Sequence, residues 1–416
     1  MKRIALDVTP LRRSRDLRCI VAGQLLSTLG SQLTVVAVPF QVYELTHSSL
    51  DVGLVSLAQL FPLIAGALMG GVLADSVDRR KLLLIAQALT ALCSVGLAVN
   101  ADTGTALWPL FFLPAVAAAF AAATESGLSA VLPNLVTRSE VASANAMFQA
   151  IFQLGQVAGP AVAGLLLAGA GVRFVYWMDV ATMAASIVAT FLIGPQVPVG
   201  GTEHPPGLRS LRYLKGQRVL QGAFLIDINA MVFGMPRAVF PALASTVFGG
   251  GARTLGFLYA APGAGALIGA VTTGWVGRVR RQGRAVILAV LVWGAAITCF
   301  GLVHWLPIAL ILLAVAGWAD VISAVFRSTI LQLGVPDELR GRLMGVQMAV
   351  VAGGPRIGDT ETGAVAAAFG PVTAVVSGGL ACVAGALVLA RLLPVFSRYT
   401  APVVRDEAAD PADITT

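Results

Sequence analysis

Long apolar stretches, each closed by a cluster of charge, proline or glycine, recur along the whole chain. A helix rises about 1.5 Å per residue, so roughly 20 apolar residues cross the ~30 Å core of a bilayer. Runs of this kind are predicted to be spans at 19–43, 52–74, 82–99, 106–126, 145–168, 174–194, 219–244, 254–276, 285–303, 306–328, 343–368 and 372–394. The pattern predicts an all-α integral membrane protein with twelve transmembrane helices. Composition agrees, because 57% hydrophobic against 12% charged residues excludes an ordinary soluble enzyme. The first apolar run outlasts the core of a signal peptide and no small-residue cleavage pattern follows, so it reads as the first retained span. Cys19, Cys93, Cys299 and Cys382 all lie in or at the ends of apolar runs, so no disulfide framework and no CxxC metal site is encoded.

Charge then orients the spans. Nearly all of the 28 Lys and Arg fall on the face of the N-terminus; Arg173 and Arg253 lie on the opposite face, and Arg237, Arg327 and Arg356 inside spans. The positive-inside rule places both termini in the cytoplasm, in a cytoplasmic (inner) membrane. The net charge of +7 is therefore mostly topology rather than a nucleic-acid surface. A weak repeat at an offset of 203 residues pairs Gly53 with Gly256, Gly66 with Gly269, Gly71 with Gly274 and Pro133 with Pro336. Six spans plus six is a transporter arrangement. It divides the chain into a bundle over 1–194, a cytoplasmic linker over 195–218, a second bundle over 219–394 and a disordered tail over 395–416. Leucines and cations alternate over Leu208–Lys215, which predicts a short interfacial helix in the linker.

Two motifs carry a family resemblance. After the second span come Gly71, Ala74, Asp75, Asp78, Arg79, Arg80 and Lys81, a helix end, an acid and a basic cluster able to bridge to a neighbouring helix and release it. This resembles the signature loop of the major facilitator superfamily, with Asp78 where the family usually has glycine. The fifth span holds Gly155, Gly159, Pro160 and Gly164, which resembles the superfamily's antiporter motif; Ala163 replaces one family glycine. Small residues there allow close helix approach, and Pro160 bends the helix and frees a carbonyl. With Pro236–Ala244, Gly256–Pro262, Leu339–Arg342 and Gly358-Asp359, the chain is similar to the enterobactin-exporter branch, whose relatives include drug and macrolide efflux pumps. The resemblance implies two six-helix bundles, a siderophore-like or drug-like substrate and exchange against protons.

Ionisable residues inside spans are costly and mark functional candidates. In the second half these are Asp227, Arg237, Asp320, Arg327, Arg356, Asp359 and Glu361; in the first half, Glu125 and Asp179. Helical depth lets Asp227 pair with Arg327, puts Asp320 and Arg356 near mid-membrane, and groups Arg237 with Asp359 and Glu361 in the outer half. Glu125 falls at the end of its span, at the cytoplasmic interface. Two readings stand for these charges: one carboxylate exchanges a proton beside an arginine, or neutral pairs fix helix packing. The arginines also suit an anionic substrate. No phosphate-binding Gly-x-x-x-x-Gly-Lys loop occurs, so an ion gradient must drive transport, and no HExxH or GxSxG motif supports a membrane enzyme. His47, His204 and His304 never cluster, so neither metal nor cofactor is expected. The expected partners are a small molecule, protons and lipid, with a monomer sufficient.

Overall fold

The computed structural model describes residues 11, 13–104, 106–137, 140–196, 216–335 and 337–400, and no strand occurs among them. The interfacial helix expected over Leu208–Lys215 and most of the expected tail lie outside the described residues. Helix α1 (Arg15–Thr46) starts where Ser14 accepts a hydrogen bond from the Leu17 N–H and Asp16 faces the helix dipole. The second span breaks at Gln59 into α2 (Ser49–Ala58) and α3 (Leu60–Ser76). Then follow α4 (Arg79–Thr103), α5 (Trp108–Leu135) and α6 (Val141–Phe191).

At 51 residues, α6 is far too long for one crossing. Gly171 interrupts it with φ 81° and ψ 173°, a conformation that glycine adopts without a Cβ penalty. Its first part runs parallel to α1, with Gly155 on Thr28 and Gly159 on Gln32. Its second part runs antiparallel, with Thr182 at Gly30 and Ser186 at Gly23. The chain therefore reverses at Gly171, and α6 supplies two spans.

The second half begins with a span in pieces: α7 (Arg218–Phe233), a 3-10 turn (Arg237–Val239) and α8 (Phe240–Thr246). It continues with α9 (Gly251–Thr272), a 3-10 segment (Thr273–Arg278), α10 (Gln282–Leu302), α11 (Leu306–Gly334), α12 (Asp337–Phe369), α13 (Pro371–Leu392) and α14 (Pro394–Ser397). Ten helical segments of the described residues are long and apolar enough to cross a membrane. Division of α6 at Gly171 and addition of the more polar α12 complete the twelve crossings. The expected tail begins too early: Phe396 of α14 is buried against Gly222 and Gly283, so the packed chain extends past 394.

The bundles α1–α6 and α7–α13 meet through glycines. Gly164 packs on Gly256, a Cβ on either lying 2.6 Å from the other's Cα, while Gly53 and Gly363 bring α2 against α12. Pro160 has no N–H to bond the Gln156 carbonyl, and that carbonyl lies against Gly263 of α9, where a Cβ would come within 2.8 Å. Thr360 donates to the Gly53 carbonyl at 3.2 Å. These contacts lie toward the ends of the helices opposite the linker. On the linker side α12 scarcely touches α3, so the bundles diverge there. The structure is closed opposite the linker and open beside it.

Replacing Gly164 by leucine is expected to disfavour this state. Overpacking costs about 1–3 kcal/mol, which is about five- to 150-fold in population. Spin-label distances between α2 and α12 at the face opposite the linker should lengthen in the variant. An unchanged distribution would show that the Gly164–Gly256 crossing does not hold that face shut.

Candidate functional site

The break in the seventh span decides where the charges of the second bundle go. Helix α7 stops at Gly234 because Pro236 follows, and the interruption leaves the Gly234 and Met235 carbonyls without helical partners, while that of Arg237 accepts only the 3-10 bond from the Phe240 N–H. Lipid offers no substitute, so the protein must satisfy them. Trp293 Nε1 of α10 donates to the Gly234 carbonyl at 2.9 Å, Thr362 of α12 to that of Met235 at 3.3 Å, and Tyr259 of α9 to that of Arg237 at 3.3 Å. Three neighbouring helices thus hold the break open, and Arg237 sits in it.

Around Arg237 lie two more arginines and three aspartates. Asp227 of α7 and Arg327 of α11, both buried, form an ion pair at 2.8 Å, and Arg327 also donates to Ser323 at 2.8 Å. Asp320, on α11 two turns before Arg327, has Arg327, Asp227 and Arg237 as charged neighbours, and its Oδ1 is buried without a hydrogen bond. Asp359 of α12 faces Arg237 and Arg356, with the Ala238 N–H and the Ser56 hydroxyl of the other bundle beside it. Arg356 donates to the Ala352 carbonyl at 2.5 Å. The sequence grouping is corrected at two points. Asp320 gathers with Arg237 rather than with Arg356, and Glu361 stands apart from the arginines, with only the Thr362 hydroxyl at 3.4 Å. Helix α12 carries Glu361 two residues beyond Asp359, about 200° around the helix, hence on another face.

The first bundle is polar with few charges. A cavity of about 170 Å³ lies among Gln24, Ser27, Ser31 and Gln32 of α1, Gln87 and Thr90 of α4, Thr124 and Glu125 of α5, and Phe152 and Met183 of α6. Glu125 is exposed at it. Its expected place at the interface is corrected, since α5 continues ten residues past it, about 15 Å of helix. The cavity was missed by a reading centred on charge. Its signal is nevertheless in the sequence, because Gln24, Ser27 or Thr28, and Ser31 or Gln32 form one polar stripe at helical spacing. One turn from Met183, Asp179 is buried and accepts hydrogen bonds at Oδ2 from Thr34 at 2.7 Å and Ser94 at 2.8 Å, with no ion pair among the described residues. Gly30 makes room for it, since a Cβ there would lie 2.6 Å from Asp179 Oδ1.

The loop after α3 uses its charges differently from the expected lock. Asp75 is exposed and makes no ion pair or hydrogen bond among the described residues, and nothing packs at Gly71. Asp78 instead caps α4, accepting from the N–H groups of Arg80 (2.9 Å) and Gln196 (3.0 Å). Arg79 donates to the carbonyls of Ala74 (3.0 Å) and Ala130 (2.7 Å), and Arg80 to that of Phe191 while covering its ring. Outside the spans, Glu140 meets Arg13 at 3.1 Å; hydrogen bonds from Thr137, with Arg13 adding, hold its carboxyl below the usual range. No group of three metal-binding side chains occurs among the described residues.

A family model described as transmembrane secretion effector matches residues 6–408. Over 396 residues the chain is 32% identical to the enterobactin exporter EntS of Escherichia coli O1:K1 and to that of Shigella boydii serotype 18, covering 93% of this chain and of each relative. Among solved structures it resembles the nucleoside transporter NupG, at 12% identity and a TM-score of 0.74 over 92% of this chain and 100% of that one. The human organic anion transporter MFSD10 aligns at 15% identity and 0.61, with the same two coverages. At these identities the structural likeness speaks for the fold alone.

Asp227→Asn should break the buried ion pair of Arg327, leaving it only the more distant Asp320, and cost about 3–5 kcal/mol, read as a lower melting temperature in detergent. Neutralising both, as Asp227→Asn with Arg327→Met, should cost less than the single change. A double variant as unstable as the sum of its parts would show that the two charges do not depend on each other.

Proposed function

The chain belongs to the transmembrane secretion effector family within the major facilitator superfamily, and from that membership we propose a proton-driven exporter of a small, hydroxyl-rich amphipathic molecule such as a catecholate siderophore. Its two bundles rock about a central site. The distribution of basic residues supports a cytoplasmic linker and termini, so the open side of the present state is the side from which an exporter loads. The substrate class comes from the likeness to enterobactin exporters together with the polar cavity of the first bundle, whose amide and hydroxyl groups suit a ligand rich in O–H groups.

The observation that carries the coupling is Asp320, whose carboxylate, unlike those of Asp179, Asp227 and Asp359, makes neither a hydrogen bond nor an ion pair among the described residues while held beside Arg237 and Arg327. A deprotonated carboxylate accepts a hydrogen bond from a substrate hydroxyl; a protonated one has lost that acceptor. Substrate and proton then compete for one group, and competition at a site that faces each side in turn is what antiport requires. Glu125, across the cleft, offers a second acceptor of the same kind. Asp227, Asp359 and their arginines keep the bundle neutral around this exchange.

Export is tested in cells lacking their own exporters, by siderophore in the medium under iron limitation and by retention of a dye or macrolide, with and without a protonophore. Siderophore release that collapses with the gradient is the expected result. Drug release alone would move the substrate to the multidrug class. Asp320→Asn is expected to lower efflux about tenfold or more and to remove its proton dependence, since a hydrogen bond to a charged group is worth about 1.5–3 kcal/mol. Proton-coupled efflux surviving each of Asp227→Asn, Asp320→Asn, Asp359→Asn, Glu361→Gln and Glu125→Gln would overturn the assignment.

A further inference from the structure

At the linker end of the second bundle, a groove of about 420 Å³ runs between α10, α11 and the 3-10 segment after α9. Its walls are apolar, with Trp275, Leu288, Val292, Trp318 and Phe326 among them, and Arg281 and Arg284 stand at its mouth. Trp318 is fixed by a hydrogen bond to Thr272 at 3.2 Å, and Trp275 meets Phe326 edge to face. The groove opens sideways rather than into the cleft. Val271 (81% exposed), Ile311 (62%) and Leu288 (61%) continue it as a wholly apolar flank, the surface that faces acyl chains. From Gln282, where α10 starts, to Val292 is ten residues, or about 15 Å. That is half of the ~30 Å hydrocarbon core, the depth of one leaflet.

The internal repeat explains why the groove has two cations uncommitted among the described residues. At the offset of 203 residues, Arg281 stands where the first half has Asp78, and Arg284 where it has Lys81. In the first half that acid accepts two backbone N–H groups, and its neighbours Arg79 and Arg80 are taken up by carbonyls. In the second half the acid is gone. Arg281 and Arg284 are exposed and make no ion pair or side-chain hydrogen bond among the described residues. The cavity has a local cause too. Gly70 lets α3 close onto Ala123 of α5, whereas the equivalent positions are Thr273 and Phe326, and the helix there gives way to the 3-10 segment.

We propose that this groove binds an anionic phospholipid of the leaflet on the linker side, one acyl chain lying along α10 and the phosphate on Arg281 and Arg284. An apolar slot one leaflet deep, ending in two guanidinium groups at the headgroup level, matches that molecule in both length and charge. The bound chain lies against Trp275, whose ring packs edge to face on the buried Phe326, next in sequence to Arg327 of the ion pair.

The test uses the full-length protein in phosphatidylcholine vesicles containing equal fractions of brominated phosphatidylglycerol or brominated phosphatidylcholine, with tryptophan quenching as the readout. Brominated phosphatidylglycerol is expected to quench with about a tenfold or greater preference, since each cation near the surface adds a favourable contact. Arg281→Gln with Arg284→Gln should abolish the preference, and Trp275→Phe with Trp318→Phe should remove the excess quenching, because those indoles report from the groove. Equal quenching by the two lipids overturns the proposal. So does a preference that survives the arginine changes, or excess quenching that survives the tryptophan changes. No substrate is present, so failure here leaves the export reading standing.

Discussion

A charge or a free carbonyl inside a membrane protein must find its counterpart within the protein, and the second bundle is arranged around that demand. The break between Gly234 and Val239 releases the Gly234 and Met235 carbonyls, which Trp293 of α10 and Thr362 of α12 reach in to bond. Tyr259 of α9 adds a bond to the Arg237 carbonyl beside that from the Phe240 N–H. Arg237 enters the interior only because this break is held. Its charge, with those of Arg327 and Arg356, is met by Asp227, Asp320 and Asp359. Removal of one member leaves another unpaired, so the cluster behaves as a unit rather than as separate ion pairs.

The two halves answer the same constraint differently. In the first bundle, Asp179 is bonded through one oxygen by the hydroxyls of Thr34 and Ser94, and the open cavity is lined by amides and hydroxyls with Glu125 the lone acid. A neutral, hydrogen-bonding wall thus faces a balanced but charged one. Such asymmetry fits the proposed division, in which one half recognises a polar ligand and the other exchanges a proton. The bundles meet where glycines permit backbone contact, at Gly164 with Gly256 and at Gly53 with α12, and contacts of that kind part without breaking an ion pair. Thr360 with the Gly53 carbonyl, and Asp359 beside Ser56, are the polar exceptions. They tie the charge cluster to the closed face, so a change in the cluster is felt at the gate.

The expected depths put Asp227 level with Arg327, because both lie on long helices whose rise per residue is fixed. The same arithmetic failed for Glu361, where the side of the helix matters more than the depth. It failed for Glu125 as well, because charge at the end of an apolar run does not stop a helix whose backbone is already bonded. The partners of the Gly234, Met235 and Arg237 carbonyls come from residues tens of positions away, and no local pattern announces them. Likewise Asp75 reads as a lock in sequence, yet in a state open beside the linker it faces solvent, and Asp78 makes the local contacts.

Twelve crossings, a basic face, a doubled architecture and a set of buried charges were all determined by the sequence alone, because membrane thickness and the cost of burying charge act on each segment where it stands. Tertiary structure decided the rest: which carboxylate goes without a hydrogen bond and which arginines without a partner among the described residues, and which face is closed. Those outcomes depend on how close two helices come. That distance is set by residues such as Gly164 and Gly256, far apart in the chain and brought into contact only when the bundles pack.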